Sequence, residues 1–120
     1  MYIVKNSESK EIECLIEKFN IDLNYDLKNP SFYYTFKIDE EIVGYSKIKV
    51  IDNVVNLIEF KLEGEYSNSE KLFFLKATGS KILDLGFESF SSELDEINFY
   101  NIKGNIIYLN ELFVGTCKDV

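Results

Sequence analysis

The 120-residue chain has no His and no Trp, and because all 13 of its basic residues are Lys it has no Arg. Lack of His removes the commonest general base and metal ligand at neutral pH. Lack of Arg removes the planar fork that grips a phosphate or a guanine with two parallel hydrogen bonds. Against the Lys residues stand 21 acidic ones, for a formal net charge of -8. Such a surface repels polyanions, so neither nucleic acid nor an anionic membrane is an expected partner. Cysteine is sparse. Cys14 and Cys117 lie far apart and form no CxxC pair, which reads as two reduced thiols of a cytoplasmic protein. With no His to activate it, neither thiol is an expected nucleophile. No run approaches the ~18 apolar residues of a membrane-spanning helix, and MYIVKNSESK lacks the apolar stretch of a secretory leader. No metal is expected either. DEE at 39–41 is a charged turn, and LDEINFYN at 94–101 lacks the glycine and distal Glu of a calcium loop.

What is present is apolar and aromatic. Hydrophobic residues make up 46% of the chain and aromatics 15%, enough for one packed core and hence a single domain over 1–120. Tyr2, Ile3 and Val4 form a short first strand. In SESKEIECLIEKFN, Ile12, Leu15, Ile16 and Phe19 recur at the spacing of one helical face. Ser7 or Ser9 is placed to cap this helix, and Glu11, Glu13, Glu17 and Lys18 form its solvated side. IDLNYDLKNP is a loop closed by Pro30, the only proline. Three strand runs follow, SFYYTFKI, EIVGYSKIKVI and VVNLIEFKLE, joined by Asp39-Glu40-Glu41 and by Asp52-Asn53, residues that suit tight hairpins. They predict an antiparallel meander with one buried face.

A long helix follows in KLFFLKATGSKILDLG, with Leu72, Leu75, Ile82 and Leu83 on its stripe and Gly86 as its stop. Gly79 falls on the stripe side, where close packing against the sheet would offset the ~1 kcal/mol that an interior glycine costs. FESF is a candidate strand, ELDEINFYNI a short helix and NIIYLNELF a closing strand. The expected order is β-α-β-β-β-α-β-α-β.

Three stretches in that order resemble the GNAT N-acyltransferase superfamily. FKIDEEIVGYSKI is similar to its strand-turn-strand pattern xxGexvGxxxl. NLIEFKLEGEYSNSEKLFFLKATGSKILDLGF has the length and layout of its fourth strand, loop and long helix, ending in LGF. FYNIKG resembles its FYxxxGF, with Asn105 in place of the final Phe. The likeness covers roughly residues 32–104. It implies an α+β, GNAT-like fold with a mostly antiparallel central sheet flanked by helices, and acetyl-CoA as the acyl donor. A helix packed on an antiparallel meander also fits other α+β folds, such as cystatin-like ones.

The resemblance assigns roles residue by residue. Glu59, in NLIEFKL, falls where such enzymes carry an acid that deprotonates the acceptor amine; as a plain strand carboxylate it would face solvent. Tyr100 matches the tyrosine that protonates the leaving thiolate, and is otherwise one packed aromatic among eight tyrosines. The backbone of Phe60, Lys61 and Leu62 would hold the pantetheine arm by strand-like hydrogen bonds, provided a bulge splays this strand from its neighbour. Ser67, Asn68, Ser69 and Lys71 occupy the diphosphate loop, where the family has R/Q-x-x-G-x-G/A. Here there is neither a glycine nor a leading Arg or Gln. Ser67-Asn68-Ser69-Glu70 is instead S-x-x-E, the pattern of a capping box, which ties two helix-terminal amides to side chains of the same turn. Two functions from different classes follow. One is an N-acetyltransferase-like protein acting on a small amine, with its diphosphate loop degraded. The other is a catalytically silent binding or dimerisation module on the same scaffold, so that a homodimer remains open.

Overall fold

The structure, a computed structural model, describes residues 2–20, 29–97 and 106–114. Its elements are β1 (Tyr2–Asn6), α1 (Ser9–Phe19), β2 (Ser31–Ile38), β3 (Glu41–Ile51), β4 (Val54–Leu62), α2 (Asn68–Asp84), β5 (Ser89–Ser91), β6 (Ile106–Tyr108) and α3 (Leu109–Val114). A 3-10 turn spans Asp95–Ile97. The six strands lie side by side in chain order. Every neighbouring pair is antiparallel except β4 and β5, which are parallel because the chain crosses over through α2. The fold is α+β, and the meander feeding a long helix is the layout that the GNAT resemblance implies.

Two hairpin turns hold the meander in register. Asp39 and Glu40 (φ 50° and 72°) join β2 to β3, and Asp52 and Asn53 (φ 50° and 63°) join β3 to β4. Paired left-handed residues twist the connection in the same sense as the strands, so the hairpins close without splaying. Tyr34, Phe36, Ile48, Leu57 and Phe60 on one sheet face pack with Phe74, Leu75 and Ile82 of α2, and Phe36 stacks on Phe74 at 4.7 Å. The opposite face is covered too, contrary to the expectation of one buried face: Tyr45 packs with Leu15 and Phe19 of α1.

Glu11, expected on the solvated side of α1, is buried. The helix is rotated so that Glu11, Leu15 and Phe19 face the sheet and Ile16 is exposed. A buried carboxylate requires compensation. Lys37 Nζ lies 2.8 Å from Glu11 Oε2 and Lys5 Nζ 3.6 Å from it, while the Glu8 amide donates to Oε1 at 2.9 Å. That last bond makes Glu8 the cap residue. Ser7 instead hydrogen-bonds Thr35 through its hydroxyl at 2.6 Å.

The buried side of α2 is Phe74, Leu75, Thr78, Gly79 and Ile82, with Leu83 exposed. Gly86 (φ 95°) follows the last turn as expected. Gly79 packs closely against α3 rather than the sheet: a Cβ there would meet the Cδ2 atoms of Leu109 and Leu112, each at 3.0 Å. The closing segment is accordingly a three-residue strand followed by a helix. Leu109 and Leu112 sit one turn apart and fill the space left by Gly79. Of the short helix expected over ELDEINFYNI, Asp95–Ile97 forms a 3-10 turn, Glu93 and Leu94 precede it outside any helix, and residues 98–102 lie outside the described residues.

Candidate functional site

The sheet is interrupted where a site would need it. Along the β3–β4 ladder Lys47 faces Glu59 and the next residue, Ile48, faces Leu57, so Ile58 is an extra residue, a β-bulge. On its other side β4 pairs with β5 at Asn56↔Ser91, where β5 ends. Ser92 caps the join by donating its hydroxyl to the Leu57 carbonyl at 2.9 Å, and the chain then enters the Asp95–Ile97 turn. Beyond that join the strands part. The gap is a cleft of about 350 Å³ with Phe60, Lys61, Leu62 and Gly64 as one wall. Phe19 of α1, Lys71 of α2 and Glu96 of the 3-10 turn also line it, so the cleft passes from the α1 side of the sheet to the head of α2.

Gly44 sets the spacing behind that wall. It lies opposite Leu62, and a Cβ at this position would collide with the Lys61 carbonyl oxygen. Only a residue without a side chain lets β3 approach β4 this closely at the cleft.

The head of α2 carries the predicted capping box. The Ser67 amide donates to Glu70 Oε1 at 3.1 Å, and the Glu70 amide donates to Ser67 Oγ at 3.2 Å. A partner with no local sequence signal joins them: the Tyr2 hydroxyl donates to Glu70 Oε2 at 2.8 Å. Hydrogen bonds from Tyr2, then from the Ser67 amide, hold the Glu70 carboxyl below the ordinary range, and the same bond raises the Tyr2 phenol. Ser67, Asn68 and Ser69 are exposed, and of the four loop residues expected at a diphosphate only Lys71 reaches the cleft.

Glu59 projects to the α1 face, where it accepts a hydrogen bond from the Tyr45 hydroxyl at 3.1 Å. Among the described residues Tyr45 is its hydrogen-bond partner, and Glu59 is half-buried rather than facing open solvent. Burial first, then the charge of Glu59, pushes the Tyr45 phenol far above its ordinary value of 10, so it remains a donor at every physiological pH. Phe19 meets Tyr45 edge-on at 5.2 Å, and Lys47 Nζ sits 5.2 Å over the Tyr33 ring. A carboxylate beside aromatic faces suits an amine. Tyr100 lies outside the described residues.

The site therefore fits one part of an acyl-CoA and not another. A thin extended arm fits the parted strand wall at Phe60, Lys61 and Leu62. A diphosphate does not fit the loop. Two amides that would face it are bonded within the turn, and the Glu70 carboxylate stands at the helix head. Among the described residues Lys61, Lys71 and Glu96 are the charged ones that line the cleft, and Lys18 pairs with Glu63 at 3.0 Å. Among the described residues no group of three or more His, Cys, Asp or Glu gathers as a metal ion would need, and no helix is long and apolar enough to cross a membrane.

No family model matches this sequence, and no curated protein matches it. Among solved structures the chain is similar to the PaiA N-acetyltransferase of Thermoplasma acidophilum in complex with coenzyme A, at 16% identity and a TM-score of 0.46. The match covers 92% of this chain and 58% of that one, so the chain spans somewhat more than half the length of that structure.

Proposed function

We propose that this protein is an acyl-thioester-dependent N-acyltransferase of GNAT-like fold acting on a small amine. The observation that carries this reading is the parting of β4 from β5 beyond Asn56↔Ser91, which opens a cleft through the sheet beside the Ile58 bulge. Bound there, an acyl thioester supplies an activated acyl carbon. The main chain of Lys61 and Leu62 lies along the arm as a strand would, which fixes the thioester's depth without calling on particular side chains. Glu59 takes the proton of the acceptor amine, a step needed because alkyl amines are protonated near pH 7. Tyr45 holds one oxygen of that carboxylate and leaves the other for the amine. The resemblance gives Tyr100 the remaining role, protonation of the departing thiolate.

The capped head of α2 favours a second reading, a silent binding module on the same scaffold. Titration of isotope-labelled protein with S-acetylpantetheine, read by amide NMR, separates the two. The enzyme reading expects shifts centred on Phe60–Leu62, acyl transfer to a primary amine, and loss of transfer but not of binding in Glu59→Gln. Absence of β4 shifts at millimolar thioester would refute it.

A further inference from the structure

The cleft meets the head of α2 at Lys71, and what stands at that head decides which donor enters. We infer that the site selects its acyl donor by the arm alone and discriminates against one carrying a diphosphate, with Glu70 and Tyr2 as the discriminating pair. This rests on the reading of the cleft proposed above and adds the chemical class of the donor.

Three donors converge on the Glu70 carboxylate: the Ser67 amide and the Ser67 hydroxyl, each at 3.1 Å, and the Tyr2 hydroxyl at 2.8 Å. Tyr2 is itself fixed. Its ring lies parallel to Phe74 at 5.9 Å and edge-on to Phe73 at 5.5 Å, so its hydroxyl is already aimed at the helix head. The first strand thus delivers a hydrogen bond across 68 residues of sequence to the place where an anion would be received. Negative charge favours the first turn of a helix, and here the chain supplies that charge itself. An incoming diphosphate would have to displace a carboxylate held by three hydrogen bonds or settle beside it, with Glu65 on the same loop adding to the repulsion. A donor ending in a neutral arm meets none of this. Phe60, Leu62 and Gly64 contact it further down the cleft.

The test compares acetyl-CoA with S-acetylpantetheine by isothermal titration against the whole chain, wild type and Glu70→Gln. Gln still accepts from Ser67 through its amide oxygen, and its amide nitrogen donates to the Tyr2 hydroxyl, so the cap and the fold persist while the charge goes. In wild type acetyl-CoA is expected to bind about fivefold more weakly than S-acetylpantetheine, since its diphosphate meets the Glu70 charge and gains no grip in return. Added salt should tighten acetyl-CoA and leave S-acetylpantetheine unmoved, the sign of screened repulsion. Glu70→Gln should tighten acetyl-CoA about fivefold, equivalent to roughly 1 kcal/mol, with no change for S-acetylpantetheine. Tyr2→Phe, which frees one carboxylate oxygen, should move acetyl-CoA in the same direction by less. A wild-type preference for acetyl-CoA of about tenfold or more, weakening with salt, would overturn this inference and leave the acyltransferase reading standing. Failure of both ligands to bind at millimolar concentration would overturn both.

Discussion

Replacing Thr78 by Val should cost more than replacing its partner Ser46 by Ala, and the structure says why. Both residues are fully buried, and their hydroxyls meet at 3.0 Å where α2 crosses β3. The Thr78 hydroxyl has one hydrogen, and it goes to the Phe74 carbonyl at 2.9 Å. The bond between the pair is therefore donated by Ser46. Thr78→Val leaves that donor buried with no acceptor, which costs about 1–3 kcal/mol. Ser46→Ala removes the donor itself, while Thr78 keeps its bond to Phe74, so only a net hydrogen bond of about 0.5–1.5 kcal/mol is lost. In the double variant no orphan remains, so its cost should fall short of the summed single costs by about 1 kcal/mol. Urea unfolding followed by circular dichroism resolves these differences. With a slope of about 1–3 kcal/mol per molar, a loss near 2 kcal/mol lowers the midpoint by roughly 1 M. Strict additivity, or a Ser46→Ala variant as unstable as Thr78→Val, would refute the assigned direction of the bond.

Gly44→Ala should destabilise by about 2–3 kcal/mol, because its methyl collides with backbone at Lys61 rather than with a side chain that can turn away; thermal unfolding measures the loss, and a drop under ~0.5 kcal/mol would contradict the close β3–β4 approach. Burial raises the Glu11 carboxyl, but the Lys37 hydrogen bond, the Glu8 amide and Lys5 outweigh it, so its folded value lies below the ordinary 4.5. Its contribution is therefore present above pH 4.5 and lost as pH falls through the folded value. The urea midpoint should decline on acidification below that point, and less steeply in Glu11→Gln. At the other end, burial pushes the Tyr34 phenol from 10.0 up to about 12. Stability should hold below pH 10, then fall as pH rises toward about 12, because the unfolded phenol ionises first; Tyr34→Phe should flatten that decline.

Signals confined to a few neighbouring residues were legible in the sequence. The capping box at Ser67–Glu70 and the Asp52-Asn53 hairpin are set by local backbone needs, and the structure shows both. The meander and the long helix after it were legible from periodicity. What escaped depends on residues distant in sequence. Glu11 looks like a surface carboxylate until β2 brings Lys37 beneath it. Tyr2 shows no sign of its hydrogen bond to Glu70. The run IIYLNELF begins with β-formers, and only the gap at Gly79 explains why Leu109 and Leu112 turn into a helix. The wall residues Phe60, Lys61 and Leu62 were named from the resemblance and do line the cleft, whereas Ser67, Asn68 and Ser69 do not. A bulge splaying this strand was implied by the resemblance, but its place at Ile58 was not legible, since an inserted residue breaks no pattern long enough to notice.

The crossover through α2 also sets a timetable for synthesis. The face of the meander bearing Phe36, Ile48, Leu57 and Phe60 is complete when Leu62 has been made, yet Ile82, near the end of α2, is among the residues that cover it. From Leu62 to Asp84 is 22 residues, about 1–4 s of translation at 5–20 residues per second. For that interval the nascent chain presents a greasy, half-made sheet. A ribosomal pause placed while residues 63–84 are still emerging from the exit tunnel should send more of the product into inclusion bodies than the same pause placed after residue 84 has emerged.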